Sequence, residues 1–165
     1  GENPGPSGAR HPSIAPFECY QSKDSFVIIA AGNDSLFTKL CDAINAPKIK
    51  HNPKYSNNRL RMDNVVELKV ELEKILTTQQ TSHWLKKLGA AGIPSGPLNT
   101  VLEAVENPQI LARNMIVGIS SAPGSSDTSL KIAGNPIKMS DYPDPKVRGP
   151  APELNQHYSS IKQEF

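Results

Sequence analysis

The chain contains few cysteines and few aromatic residues, and it has no long apolar run. Its two cysteines, Cys19 and Cys41, lie in apolar surroundings, and no segment resembles a signal peptide. We interpret them as buried free thiols in a reducing compartment rather than as a disulfide. No apolar run approaches the ~18 residues that a membrane-spanning helix needs. We therefore expect no membrane contact and a location in the cytoplasm or in an organelle matrix.

Complete catalytic or metal-binding motifs are also absent from the sequence. The histidines are scattered, and none has a second potential ligand three or four residues away, so we expect no metal site. Nucleophile elbows, glycine-rich phosphate-binding fingerprints and Cys-His pairings are missing. The four histidines are His11, His51, His83 and His157.

A net charge of +2 argues neither for nor against a nucleic-acid partner. One basic stretch contains no acidic residue between Asp42 and Asp63, and it could attract phosphates. We favour a solvated face or a docking surface for an acidic neighbour. Nucleic acid is not expected, because Tyr55 is the only aromatic residue available there for stacking. The basic residues are Lys48, Lys50, His51, Lys54, Arg59 and Arg61.

The 15 prolines concentrate near the two ends of the chain and so suggest its organisation. We predict a linker over residues 1–13, a small α+β domain over 14–134, and an extended proline-rich arm over 135–165. Within the domain, Gly92-Ile93-Pro94-Ser95-Gly96-Pro97 predicts a rigid, sharply turning loop that sets domain packing, because proline fixes φ and glycine permits unusual angles.

Hydrophobic periodicity predicts an α+β fold with short antiparallel strands packed by several helices. Two β-prone runs around a polar turn indicate a hairpin, and Asn33 can cap a helix over about 34–45. We expect strands in Ile14–Tyr20, Phe26–Ala31, Ile116–Ile119 and Ser129–Ile132, the last two around a turn at 123–127, and further helices near 65–76, 84–91, 101–105 and 108–111. A short amphipathic segment over 154–165 ends the chain.

Several segments, in this order, resemble the C-terminal part of the family III CoA-transferases, a group that includes formyl-CoA transferase and α-methylacyl-CoA racemase. The match extends over nearly the whole chain. It consists of His11-Pro12-Ser13-Ile14-Ala15-Pro16-Phe17, Val27 to Asp34, Asn58-x-x-Arg61-x-x-Asn64, Trp84-Leu85, Ala91 to Asn99, Glu106-Asn107-Pro108-Gln109, Arg113-Asn114-Met115 and Gly134-Asn135-Pro136-Ile137.

The resemblance implies a parent enzyme that transfers CoA between carboxylic acids, with coenzyme A and acyl-CoA as substrates and no metal. In this family a catalytic aspartate forms covalent intermediates, and it lies in a large domain upstream of the segments matched here. We therefore expect this chain to be inactive alone, to pack against the large domain of the same protein, and to belong to a homodimer at full length.

The resemblance also supplies the only candidates for ligand contact, namely Gly8, Arg10 and His11. The corresponding segment of the family lies near the active site, although formyl-CoA transferase carries a glycine-rich loop where this chain has Gly8-Ala9-Arg10-His11. The same residues could instead be a frayed end. Two other readings of the chain stay open, namely a portion of a racemase and a non-catalytic binding or regulatory module with the same fold.

Overall fold

The computed structural model describes residues 1, 3, 5–6, 8–121 and 130–164. These residues form two compact units, Gly1–Leu98 and Asn99–Phe165. Each unit contains a three-stranded sheet accompanied by helices. The expected α+β class is therefore confirmed.

The sheet of the first unit begins with the expected hairpin. Strand β1 (Phe17–Gln21) pairs antiparallel with β2 (Phe26–Ala30), with Tyr20 opposite Val27. Alternate residues of both strands are buried, as expected for a sheet that covers a core with one face.

The proline-glycine segment contributes the third strand of this sheet. Strand β3 (Ser95–Pro97) pairs antiparallel with β2, and the Ala30 amide donates to the Pro94 carbonyl over 2.9 Å. The predicted rigid loop is therefore partly a strand. Proline is tolerated here because β3 lies at the edge of the sheet, where Pro97 removes no essential ladder hydrogen bond.

The helices of the first unit follow the predicted capping signals closely. The Asn33 side chain accepts from the Leu36 amide over 2.8 Å, and Gly92 ends the fifth helix with a φ of +69°. The first helix is two residues shorter than expected, because Ile44 is its C-cap and Asn45 turns left-handed with a φ of +56°. The elements are α1 (Asp34–Ala43), α2 (Pro47–Lys50), a 3-10 turn (Pro53–Tyr55), α3 (Asn58–Asp63), α4 (Val65–Leu76) and α5 (Thr81–Ala90).

Helices α4 and α5 complete the hydrophobic core beneath the sheet. Leu68, Leu72 and Leu76 of α4 are buried together with Trp84 of α5. The Trp84 indole N–H donates to the Leu76 carbonyl over 2.7 Å, so its polar atom is satisfied inside the core.

The second unit is built around a central strand. Strand β4 (Ile116–Ile119) pairs antiparallel with β5 (Leu130–Ala133) and parallel with β6 (Val147–Arg148), which was not expected in the arm. The predicted turn at 123–127 and Ser129 lie outside the described residues. The helices are α6 (Val101–Val105), α7 (Pro108–Ala112) and α8 (Tyr158–Glu164).

Asn114 and Asp144 hold the start of β4 against the arm within the second unit. The Asn114 side-chain amide donates to the Asp144 carbonyl over 3.1 Å, and Lys138 forms a 2.6 Å ion pair with the Asp144 carboxylate. Hydrogen bonds from Lys138 and Asn114 lower the pKa of Asp144. Gly134 is required nearby, because a Cβ there would overlap the Asn114 carbonyl oxygen.

Both cysteines carry free thiols, as predicted. Cys41 is buried and Cys19 is half-buried. Burial raises the pKa of Cys41 to about 12 and also raises that of Cys19. Across the described ranges, no helix combines the length and the apolar character needed to cross a bilayer.

Candidate functional site

The three candidate ligand-contact residues precede the first strand. Gly8 lies in a turn with a φ of +64°, a conformation that suits glycine and few other residues. Arg10 and His11 follow it and are both half-buried. Of these three residues, His11 contacts Phe17 at the start of β1.

His11 is held to Phe17 through both its backbone and its ring. The His11 amide donates to the Phe17 carbonyl over 2.9 Å. The two rings stack with centroids 5.2 Å apart and an interplanar angle of 18°. The Ser13 amide donates to His11 Nδ1 over 3.2 Å, so one ring nitrogen is already occupied by the backbone.

Helix α3 anchors the residues between His11 and β1. Asn58 binds the backbone twice, since its amide donates to the Ser13 carbonyl over 2.9 Å and its oxygen accepts from the Ala15 amide over 3.0 Å. Arg61 Nε donates to the Ala15 carbonyl over 2.7 Å. These two side chains lie three residues apart and therefore on one side of the helix.

Arg61 connects three separate parts of the first unit. It donates further hydrogen bonds to the carbonyls of Tyr55 and Gly32, over 3.1 and 3.3 Å. It also forms a 2.8 Å ion pair with Asp34, and its guanidinium lies 4.6 Å from the centre of the Phe37 ring. Arg61 is fully buried, so its inclusion in a solvated or phosphate-attracting basic stretch was wrong.

Two other cations of the basic stretch pair with acidic residues outside it. Lys50 contacts Asp42 over 2.6 Å, and Lys54 contacts Glu67 over 2.7 Å. These exposed pairs reduce the positive charge that residues 48–61 present to solvent.

Asp24 belongs to a polar cluster between the hairpin turn and α5. Its carboxylate accepts from the Thr81 amide over 2.8 Å and from the Thr81 hydroxyl over 2.9 Å, and the buried Ser22 and Thr81 hydroxyls lie 2.6 Å apart. The Thr81 amide hydrogen bond is the main cause of the lowered pKa of Asp24. Asp24 thus caps the first turn of α5 from a distant part of the chain.

The other described carboxylates that are buried or have a shifted pKa also bind neighbouring groups. Glu18 is buried and forms a 2.7 Å ion pair with Lys69. Glu103 accepts from the Thr100 amide in a capping box at the start of α6, which lowers its pKa. These contacts hold the local structure together.

A shallow groove of about 350 Å³ lies beside the stacked Phe17 ring. Gly32 lines this groove and lets the Ile14 side chain lie close to the backbone, because a Cβ on Gly32 would overlap that side chain. The groove is lined by Ile14, Phe17, Ala30, Gly32, Asn33 and Leu36. Within the described ranges, no group of three or more His, Cys, Asp or Glu side chains lies close enough to hold a metal ion.

The structure therefore groups His11, Phe17, Asn58 and Arg61 around residues 11–17. Sequence reasoning named His11 but missed the anchoring role of Asn58 and Arg61. Their spacing of three residues in a short helix was visible in the sequence, whereas the backbone atoms that they bind were not.

Comparison with known proteins supports the resemblance to the family III CoA-transferases in both sequence and fold. Residues 1–158 match the model of CoA-transferase family III. The acetyl-CoA:oxalate CoA-transferase of Acetobacter aceti is 41% identical over all 165 residues of this chain, which correspond to 40% of its own length. The human succinyl-CoA:glutarate CoA-transferase is 29% identical over 95% of this chain and 35% of its own length.

Among solved structures, a CaiB/BaiF family protein from Brucella suis superposes with a TM-score of 0.75 at 31% identity. The superposition includes 99% of this chain and 41% of that protein. This chain therefore spans about 40% of the length of the relatives that it matches.

Proposed function

Because the chain belongs to CoA-transferase family III, we propose that the protein that contains it transfers CoA from an acyl-CoA to a carboxylic acid. The observation that carries this proposal is the family match over 158 residues, together with relatives named for CoA transfer between two acids. Residues 1–165 serve as the C-terminal portion, which includes the small domain and the arm that returns to the large domain.

The reactive carboxylate lies upstream of Gly1 in this proposal. Two facts support it. The chain corresponds to 40% or less of the length of the two curated relatives compared above. Among the described residues, the acids that are buried or have a shifted pKa bind Lys69, the first turn of α5, the start of α6 or Lys138.

Gly8, Arg10 and His11 contact the acyl-CoA in the assembled enzyme. Arg10 offers a charge and planar donors suited to a phosphate or carboxylate, and His11 lies beside the groove at Phe17. The remaining partners are the large domain of the same protein and a second copy of it in a homodimer, in the cytoplasm or an organelle matrix. The second unit exposes several large apolar side chains, as expected of a surface that a partner covers.

Two alternatives predict different activities. A racemase of the same family would invert an α-methylacyl-CoA without transferring CoA. A binding or regulatory module would do neither, and its reading frame would start near Gly1 instead of continuing upstream through the large domain.

The test compares residues 1–165 with the full-length protein, using acetyl-CoA with oxalate and succinyl-CoA with glutarate. We expect new CoA thioesters only with the full-length protein, measured by mass spectrometry. Robust turnover by residues 1–165 alone would overturn the upstream location of the nucleophile. Absence of transfer by the full-length protein with these two pairs and with further pairs of acyl-CoA and dicarboxylic acid would overturn the transferase assignment. Inversion of 2-methylacyl-CoA by that protein would replace it with the racemase.

A further inference from the structure

The neutral ring of His11 has a defined tautomer. A backbone amide can only donate a hydrogen bond, so Nδ1 must accept from Ser13 and cannot itself carry the proton. The proton of the neutral ring therefore lies on Nε2. Among the described residues, Nε2 has no hydrogen-bond partner, and His11 remains half-buried beside Phe17.

Asn58 and the His11 ring both bind the backbone of Ser13. The Ser13 carbonyl accepts from the Asn58 side chain, and the amide of the same residue donates to His11 Nδ1. The second Asn58 hydrogen bond fixes the Ala15 amide, while Arg61 fixes the Ala15 carbonyl. Residues 13–15 are thus held by α3, and the His11 ring is held in turn by Ser13 and Phe17.

We propose that Asn58 is a positioning residue that orients His11 so that its Nε2–H donates a hydrogen bond to an oxygen of the bound acyl-CoA or acid. This rests on the proposed function, which places residues 8–11 at the ligand. A donor that is already held in place requires no reorganisation when the ligand binds, and this lowers the free-energy cost of binding.

Two substitutions of His11 distinguish the roles of its two ring nitrogens. His11→Asn keeps an acceptor oxygen near the position of Nδ1, whereas His11→Gln keeps an amide donor near the position of Nε2. We expect His11→Asn to raise the KM for acetyl-CoA or for oxalate about tenfold, as for loss of one hydrogen bond to a charged group. His11→Gln should raise the same KM less, because it keeps the donor and loses only the contacts with Ser13 and Phe17.

Asn58→Ala tests the positioning role, with Asn57→Ala as its matched control. Asn57 caps α3 by accepting from the Leu60 amide over 3.0 Å, so its loss weakens the same helix while the side-chain anchor on residues 13–15 remains. We expect Asn58→Ala alone to raise the same KM with little change in kcat. In the full-length Asn58→Ala protein, hydrogen exchange of the His11 and Ala15 amides, followed by NMR, should be about tenfold faster than in the Asn57→Ala protein.

The exchange measurement needs no turnover, so it remains informative if the transferase assignment fails. Equal exchange of both amides in the Asn58→Ala and Asn57→Ala proteins would overturn the positioning role. Faster exchange only in Asn58→Ala, combined with equal effects of His11→Asn and His11→Gln on KM, would overturn the proposal that Nε2–H donates a hydrogen bond to the ligand. Faster exchange together with a selective effect of His11→Asn supports the proposal.

Discussion

The two units of the chain differ in where their apolar side chains lie. In the described ranges, every buried hydrophobic residue except Val117 belongs to the first unit, residues 1–98. The second unit exposes large apolar side chains, among them Leu154 at 94% and Val101 at 82%. The first unit therefore has its own hydrophobic core, whereas the second depends on short strands and polar contacts for its own cohesion.

The largest expected effect tests this difference in the core directly. Leu72 is fully buried, and Leu72→Ala should lower the free energy of unfolding by about 2–5 kcal/mol, because it removes buried methyl groups and leaves a cavity. The exposed Leu154 is the matched control, and Leu154→Ala should change the same quantity by less than about 0.5 kcal/mol. Urea denaturation followed by circular dichroism measures both, and similar losses would contradict the comparison.

Helix caps offer an intermediate test, because each unit contains a capped helix. Asn33→Ala should cost about 1 kcal/mol by removing the hydrogen bond to the Leu36 amide, and Thr100→Ala should cost a similar amount at α6. If the units unfold separately, each substitution will accelerate amide exchange only in its own unit. Acceleration in both units by either variant would show that they unfold together.

The smallest expected effect concerns acid stability. Asp24 has a pKa below its ordinary value of 3.8, so its hydrogen bonds stabilise the folded state above that value. This contribution is lost as the pH falls through the lowered pKa, and Asp144 behaves alike in the second unit. Asp24→Asn should flatten the pH dependence of exchange at the α5 amides below about pH 4 and leave that of β4 unchanged. Equal flattening in both units would contradict local action of Asp24.

Local signals predicted the fold well wherever a residue acts on its own neighbours. Asn33, Gly92 and the leucines of α4 behave as their spacing indicated, because caps and periodicity depend on residues a few positions apart. The strand at Ser95–Pro97 was missed, because its proline and glycine indicate a turn unless the pairing with β2 is known.

The candidate site was harder to predict, because its contacts join residues far apart in the chain. Asn58 binds Ser13 and Ala15 across more than 40 positions, and Arg61 binds Gly32 across 29. The sequence alone groups Arg61 with the surface cations, because sequence position does not show that backbone carbonyls surround it. Strand β6 was missed for the same reason, since it forms only by pairing with the distant β4.

The buried position of Trp84 has a practical consequence for spectroscopy. It is the only tryptophan among the 165 residues, and its indole is enclosed by the core of the first unit. Its fluorescence should therefore report melting of residues 1–98 of this chain without an added label, while the tyrosines of the arm contribute little at long excitation wavelengths. Emission from this single indole can be recorded beside circular dichroism to follow the two units separately.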